Sequence, residues 1–242
     1  PGNEGVLTVN PVVGETNDGR LNDIRRRVLT PVEILQTIES VAGGPVEEGC
    51  VGAGTGTMAF GWKGGIGTSS RMIPKRLGGY SLGVLVQSNF GGVLQILGNP
   101  VGPALGRHYL KDALDNNDAD GSIMIVLATD APLSDRNLAR LARRSLFGLA
   151  RTGASFSNGS GDYTIAFSVA EAVRRPPQGR QATICDGESP NETLSPLFQA
   201  AIEATEEAIL NSLFMATTTS GYQGRVGEAI PLDRVVRLIG RT

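Results

Sequence analysis

The most constraining feature of this chain is an abrupt change in character at Ser122. Residues 113–121 are polar and acidic, and Ser122 then opens the apolar run IMIVLA at 123–128, which has the length of a buried strand. One interpretation is that Asp120-Gly121 is simply a turn leading into a core strand. The other is self-cleavage. A cut between Gly121 and Ser122 would give Ser122 a free α-amine of ordinary pKa about 8, able to act as its own general base.

Composition excludes several classes of partner. Lys and Arg number 22 against 24 Asp and Glu, no basic stripe is present, and aromatic residues make up only 5% of the 242 residues. Nucleic acid is therefore not expected as a partner. No apolar stretch approaches the roughly 20 residues of a membrane span, so we expect no membrane partner either. The default location is the cytoplasm.

Neither a metal nor a cofactor is expected. The only histidine is His108, and the two cysteines, Cys50 and Cys185, lack metal-ligand spacing. The glycine-rich segment 49–69 fails the phosphate-loop pattern, because Lys63 is followed by glycine and not by Ser or Thr. We interpret that segment as glycine-rich turns and a strand packed close to the active site. A Ser-His-Asp triad would have to use His108, and neither segment 158–162 nor segment 67–71 fits the Gly-x-Ser-x-Gly elbow that would carry its serine.

Helix and strand signals are mixed without a regular alternation. Capping patterns predict helices that begin at Thr30, Ser134 and Ser195, and a short one from Pro231 to Ile239. Short apolar or β-branched runs predict strands at 80–88, 122–129 and 163–168. This mixture favours an α+β fold over a doubly wound sheet, and residues 1–242 are long enough for a single domain.

Six segments carry a resemblance to a known family, in order along nearly the whole chain. They are NPVVGETNDG at 10–19, GVLVQSNFGG at 83–92, DGSIMI at 120–125, ATDAPL at 128–133, NGSGDY at 158–163 and MATTTSGYQG at 215–224. Together they resemble the DmpA-type aminopeptidases, a family of D-aminopeptidases and β-peptidyl aminopeptidases whose precursors cleave themselves at a Gly–Ser bond. Several motifs in register are far more specific than one short pattern.

The resemblance implies an architecture and an activity. The fold would be a four-layer α/β/β/α sandwich of the N-terminal-nucleophile kind, self-cleaved into parts 1–121 and 122–242. Members usually begin well before the point that matches Pro1, so an N-terminal portion is expected to precede it. The implied protein is a serine aminopeptidase that releases N-terminal residues from short peptides, amides or esters. Its cleaved pairs would assemble as a homo-oligomer, commonly a tetramer.

The catalytic roles follow from the motifs. Ser122 would be the nucleophile, formed by cleavage after Gly121, and its α-amine the base. Asn89 resembles the asparagine of the family's oxyanion hole, although a turn-forming asparagine is the alternative interpretation. Ser160 and Asp162 would orient or pass the proton, the alternative being an Asx-type turn without a catalytic part.

The sequence indicates the substrate-binding residues less clearly than the catalytic ones. Glu15 or Asp18 is predicted to hold the ammonium group of the substrate. The resemblance implies a tyrosine beside the nucleophile, in the region that follows Asn17-Asp18-Gly19; either Arg20 takes that position here or the tyrosine aligns elsewhere. The replacement would change the surroundings of the oxyanion. Preference among D-, L- and β-amino termini depends on pocket shape, which no residue pattern decides.

Two other functions remain open. Ornithine acetyltransferases share the architecture and the self-cleavage, but they ordinarily cut before threonine, and Ser122 speaks against that activity. An uncleaved homologue that acts as a binding or structural protein is the third possibility.

Overall fold

The computed structural model describes residues 4–111, 121–174 and 187–240. Its strands are β1 Met58–Ala59, β2 Trp62–Lys63, β3 Gly65–Met72, β4 Ser81–Asn89, β5 Ser122–Thr129, β6 Gly161–Ser168, β7 Thr219–Ser220 and β8 Val226–Gly227. Its helices are α1 Pro31–Glu39, α2 Val101–Ala104, α3 Asp135–Arg151, α4 Ser195–Phe214 and α5 Leu232–Ile239.

Four strands form the sheet that carries the site. Their order is β3-β4-β5-β6, and β5 lies antiparallel to β4 but parallel to β6. The three predicted strands are confirmed as β4, β5 and β6, with β6 beginning two residues earlier than predicted. The glycine-rich segment ends in β3, as the interpretation of it as turns and a strand requires.

The predicted helices are confirmed, and their capping explains where they begin. Thr30 accepts from the backbone N–H of Glu33 while the Glu33 carboxylate accepts from the backbone of Thr30, so α1 begins with a complete capping box. Ser134 is the N-cap of α3, and Pro196 occupies the first turn of α4. A proline is favourable there because the first turn has no intrahelical acceptor for its missing N–H.

Helices α3 and α4 pack on each other and on one face of the sheet. The side chains of Ile123, Ile125 and Leu127 on β5 are fully buried on this face. Gly67 lies so close to α4 that a Cβ there would overlap the Ala208 carbonyl oxygen, so only glycine allows this approach. A hydroxyl pair, Ser88 and Ser212 at 2.7 Å, joins β4 to α4 inside the core.

On the opposite face of the sheet, the residues that the structure describes leave much of the area uncovered. Met72 and Tyr163 project from it and are 74% and 62% exposed. An extended segment, Gly14–Asn17, crosses it near the start of β5, with Gly14 against the Met124 side chain and Thr16 accepting from Gln87 at 2.7 Å. The predicted α+β class is confirmed, and the described residues contribute one helical layer, the four-stranded sheet and two small sheets of two strands each, β1-β2 and β7-β8.

Helix α1 lies apart from this core. Its apolar residues Ile34, Leu35 and Ile38 are all more than half exposed. Within the described ranges, no helix is both long and apolar enough to cross a membrane.

Candidate active site

Ser122 is the first residue of β5, at the edge where the central strands end. It pairs with Asn89 of β4 on one side and with Gly161 of β6 on the other. Because paired residues of neighbouring strands project on the same face, the Ser122 and Asn89 side chains both lie on the open face of the sheet. A serine at this position is half-buried and can be reached from the face that the helices do not cover.

The Ser122 hydroxyl has no hydrogen-bond partner among residues 4–111, 121–174 and 187–240. Gly161 leaves space beside it, since a Cβ there would lie 3.3 Å from Ser122 Oγ. A free hydroxyl with open space beside it suits a nucleophile better than a hydroxyl that holds a strand end together.

The packing of Gly121 explains why the residue before Ser122 is glycine. Gly121 is buried, and a Cβ on it would overlap the Asn89 carbonyl oxygen and the Phe90 Cα. The backbone before Ser122 is therefore pressed against the end of β4, and no larger residue fits without moving that strand. The close approach places the Gly121–Ser122 peptide bond beside Asn89.

Asn89 is held by hydrogen bonds that fix the orientation of its amide. Its Oδ1 accepts from the backbone N–H of Met58 at 2.9 Å, and its Nδ2 donates to the Asn17 carbonyl at 2.9 Å. An amide nitrogen has two hydrogens, so one remains for a further acceptor. Asn89 is the last residue of β4, only 7% exposed, and not part of a turn. Its role in an oxyanion hole stays a prediction.

Ser160 and Asp162 lie on either side of Gly161, the partner of Ser122 in β6. Ser160 Oγ donates to Asp162 Oδ1 at 2.8 Å, so both side chains lie on one side. Asp162 is the register partner of Ile123, so the side chains of Ser160 and Asp162 lie on the same face of the sheet as that of Ile123. The Ser122 side chain projects from the opposite face. The pair therefore lies on the side of the sheet opposite the Ser122 hydroxyl, and its part in catalysis stays a prediction. Burial raises the pKa of Asp162, and the Ser160 hydrogen bond opposes that rise.

The two acidic residues predicted on the substrate side have different surroundings. Glu15 is exposed, on the segment that crosses the open face between Gly14 and Thr16. Asp18 is half-buried with its carboxylate against Gly56, and it accepts from the Asn22 amide at 3.2 Å. Glu15 is therefore the freer of the two carboxylates, and a role for either in holding an ammonium stays a prediction.

A buried lysine, which the sequence analysis considered only as part of a phosphate loop, fixes the loop that holds Asn89. Lys63 is fully buried, and its Nζ donates to the carbonyls of Gly54 and Gly64 at 2.6 and 2.7 Å. Burial lowers the pKa of Lys63, while the nearby Cys50 and Asp18 raise it. Met58, whose N–H orients Asn89, lies between Gly54 and Gly64 in the sequence. The only sequence signal was a lysine inside a glycine-rich segment.

The Cys50 thiol interacts with this lysine, and Cys50 is half-buried. Burial alone would raise the pKa of this thiol, but hydrogen bonds from Thr219 and Thr217 and the charge of Lys63 bring it below its ordinary value. Cys185 lies outside the described residues. In the described part of the chain, no three acidic, histidine or cysteine side chains are grouped as a metal would require.

A cavity of about 1030 Å³ opens next to the Gly121–Ser122 bond. Asn89 and Gly121 form part of its wall, and Asn17 and Arg20 reach it from the N-terminal segment. His108 also lines it, with Nδ1 3.0 Å from the Tyr109 carbonyl oxygen. Arg20 thus shares a cavity with Asn89, the predicted oxyanion asparagine.

Comparison with known proteins agrees with this geometry. A model described as peptidase family S58 matches residues 2–227. The β-peptidyl aminopeptidase BapA of Sphingosinicella microcystinivorans is 44% identical over 91% of this chain and 58% of its own length. The PH0078 protein of Pyrococcus horikoshii OT3 superposes with a TM-score of 0.85 at 43% identity, covering 99% of this chain and 65% of that one.

A third relative is the L-aminopeptidase D-Ala-esterase/amidase of Ochrobactrum anthropi, described as a prototype of the serine aminopeptidases and a variant of the N-terminal-nucleophile hydrolase fold. It superposes with a TM-score of 0.78 at 38% identity, over 93% of this chain and 61% of that one. The sheet, its helical layer and the serine that opens β5 define a protein of this N-terminal-nucleophile hydrolase fold.

Within that class, the chain belongs to peptidase family S58. The resemblance to the DmpA-type aminopeptidases is therefore confirmed. The chain spans 58% and 59% of the lengths of the two β-peptidyl aminopeptidases that it matches.

Proposed function

We propose that the chain is the nucleophile-bearing part of a self-processed serine aminopeptidase. The observation that carries this proposal is the position of Ser122, at the start of β5, with Asn89 and Gly161 as its register partners. The protein would be a single domain, cut into residues 1–121 and 122–242. Homo-oligomeric assembly of the cleaved pairs as a tetramer is part of the proposal, and the cytoplasmic location stays a prediction.

Processing begins at the Gly121–Ser122 bond. Ser122 Oγ attacks the Gly121 carbonyl carbon, the carbon–nitrogen bond breaks, and an ester joins Gly121 to Ser122 Oγ while the nitrogen becomes an amine. Water then opens the ester, which leaves a carboxylate on Gly121 and restores the Ser122 hydroxyl. In the first step, Asn89 stabilises the negative charge that develops on the Gly121 carbonyl oxygen, because Gly121 is packed against Asn89.

Peptide hydrolysis uses the same serine. The Ser122 amine takes the hydroxyl proton, and Oγ attacks the first carbonyl of the substrate. The second hydrogen of Asn89 Nδ2 stabilises the oxyanion, and the proton passes to the departing amine. The acyl group on Ser122 is then released by water. Asp162, joined to Ser160, stabilises the ammonium that forms in the first half of each cycle.

The substrate is a short peptide, amino-acid amide or ester with a free N-terminal amine. Glu15 is the first choice as the carboxylate that holds this ammonium, since it is exposed on the segment that crosses the open face. Asp18 is the second choice because its carboxylate already accepts from Asn22.

A substrate panel tests the proposed activity. We expect release of the N-terminal residue from unblocked dipeptides and amino-acid amides, measured by chromatography of the products. The matched control is the same dipeptide with an acetylated N-terminus, which lacks the ammonium and should react at least about tenfold more slowly, given that a lost charged contact generally costs 1.5–3 kcal/mol. Acetyl transfer to ornithine without hydrolysis of amides would instead identify an acyltransferase.

Ser160 and Asp162 give a separate prediction. Ser160→Ala and Asp162→Asn should each lower kcat by about 100-fold, as is usual when a positioned proton-transfer partner is lost. An ionised Asp162 favours the ammonium form and so raises the pKa of the Ser122 amine. Asp162→Asn should therefore move the acid limb of the kcat/KM profile to lower pH.

Asp233→Asn, on the exposed side of α5, is the matched control, and it should leave both kcat and the pH profile unchanged. Near-wild-type kcat in both Ser160→Ala and Asp162→Asn would remove the pair from the mechanism. If Asp162→Asn lowered kcat but left the acid limb of the kcat/KM profile at the same pH, the role of Asp162 would be structural only.

A further inference from the structure

The wall of the cavity beside the Gly121–Ser122 bond carries more basic than acidic side chains. The described wall carries four basic side chains but one acidic side chain, Glu228. The basic residues are Arg20, Arg107, Lys111 and Arg225. An aminopeptidase substrate brings an ammonium group, for which such a wall is a poor match.

Only one of these cations is neutralised by a carboxylate in the described part of the chain. Arg107 pairs with Glu228, donates to the Gly61 carbonyl at 2.7 Å and lies over the Trp62 ring. This interaction uses the single acid of the wall. Arg107 therefore serves to build the cavity and contributes little free charge to it.

The other three cations have no carboxylate partner among residues 4–111, 121–174 and 187–240. Lys111 donates to the Gly106 carbonyl at 2.5 Å. Arg225 donates to the Arg20 carbonyl at 3.4 Å and to Gln223 at 3.1 Å. The Arg20 guanidinium makes no hydrogen bond within the same ranges. All three side chains are exposed and can meet a ligand.

Two of these residues come from opposite ends of the chain and are tied together by backbone contacts. The Tyr222 N–H donates to the Leu21 carbonyl at 2.7 Å, and Gly221 packs so closely on Leu21 that a Cβ would overlap its carbonyl oxygen. The fold thus brings two guanidinium-bearing residues to one wall although their like charges repel. A bound anion relieves that repulsion.

We propose that this cavity binds a carboxylate of the substrate, and that Arg20 and Arg225 are its main ligands. A guanidinium offers two parallel N–H donors that match the two oxygens of a carboxylate. The inference rests on the proposed aminopeptidase function and adds a substrate class to it. The nearest carboxylate in any unblocked dipeptide is its own C-terminus, so the enzyme prefers free dipeptides to their C-terminal amides.

The test compares a dipeptide with its C-terminal amide on the processed protein. We expect kcat/KM to be at least about tenfold higher for the free acid, the size of one charged hydrogen bond. Arg20→Met and Arg225→Met should each lower kcat/KM for the acid at least about tenfold more than kcat/KM for the amide, and the double variant should remove the preference. Arg20→Lys should retain part of it. The matched control is Arg76→Met, an exposed arginine outside this cavity.

Two further arms separate the alternatives. A peptide amide with glutamate in place of glutamine in its second position shows whether a side-chain carboxylate can replace the C-terminal one. Calorimetric binding of a dipeptide whose scissile amide is replaced by CH₂–NH, as acid and as amide, measures the preference without turnover. If nothing is hydrolysed but the acid binds more tightly, the proposed function fails and the carboxylate site stands.

Equal kcat/KM and equal binding for acid and amide would overturn the inference. An equal loss in Arg76→Met would overturn it too, because the effect would then reflect the net charge of the protein and not this cavity.

Discussion

A Ser122→Ala variant is expected to remain one uncut chain and to lose peptide hydrolysis by a factor on the order of 10⁴ or more. Removal of the hydroxyl takes away the atom that attacks Gly121 and the atom that would carry the acyl group. Without cleavage, the α-amine that serves as the base never forms. Knockouts of a serine nucleophile in other hydrolases have effects of this size or larger. The measurements are gel electrophoresis and the rate of amine release.

The matched control is Ser70→Ala. Ser70 lies on the same face of the same sheet, on β3, and is exposed. This variant should be cut and active like the wild type. Circular dichroism of both variants checks the fold. A folded Ser122→Ala protein that still splits at residue 121, or that still hydrolyses peptides, would place the nucleophile elsewhere.

Asn89→Asp is expected to lower kcat by about 10²–10³-fold, the usual effect of removing one oxyanion donor. Aspartate keeps an oxygen to accept from the Met58 N–H, but it has no Nδ2 hydrogen to donate and it adds a negative charge where one develops. Slower processing should accompany the loss, because Gly121 packs against the same residue. Processed protein should therefore be used for the kinetics.

Stability must be separated from catalysis in this variant. The Asn89 amide is buried and donates to the Asn17 carbonyl, so its loss costs about 1–3 kcal/mol of folding free energy. Asn99→Ala is the control, since its half-buried amide donates to the Ile96 carbonyl at 3.3 Å without taking part in the site. If Asn89→Asp retained wild-type kcat, Asn89 would be no more than a structural link between β4 and the segment that carries Asn17.

Local signals were enough to predict most of the elements. The capping box of Thr30 and Glu33 places the start of α1, and the polar-to-apolar change at Ser122 places the start of β5. These features depend on neighbours in the sequence, so a single sequence contains them. The limits of β3 were harder to predict because its glycines reflect packing on Ala208 of α4, far away in the chain.

The assembly of the site could be predicted only in part. The motifs named Ser122 and Asn89, but their pairing depends on strand register across 33 positions, which local patterns do not determine. The face on which Asp162 lies depends on the same register. The basic wall joins Arg20 to Arg225, and no spacing in the sequence indicates that these two residues meet.

Intact mass spectrometry of the purified wild-type chain, followed by N-terminal sequencing, tests the central claim most directly. The account predicts two polypeptides, one ending at Gly121 and the other beginning with a free Ser122 amine. Ser122→Ala measured in parallel should give a single mass of 25.3 kDa for the 242 residues, less one oxygen atom. A wild-type chain that stays intact and still hydrolyses peptides, or one cut at any other bond, would contradict the account.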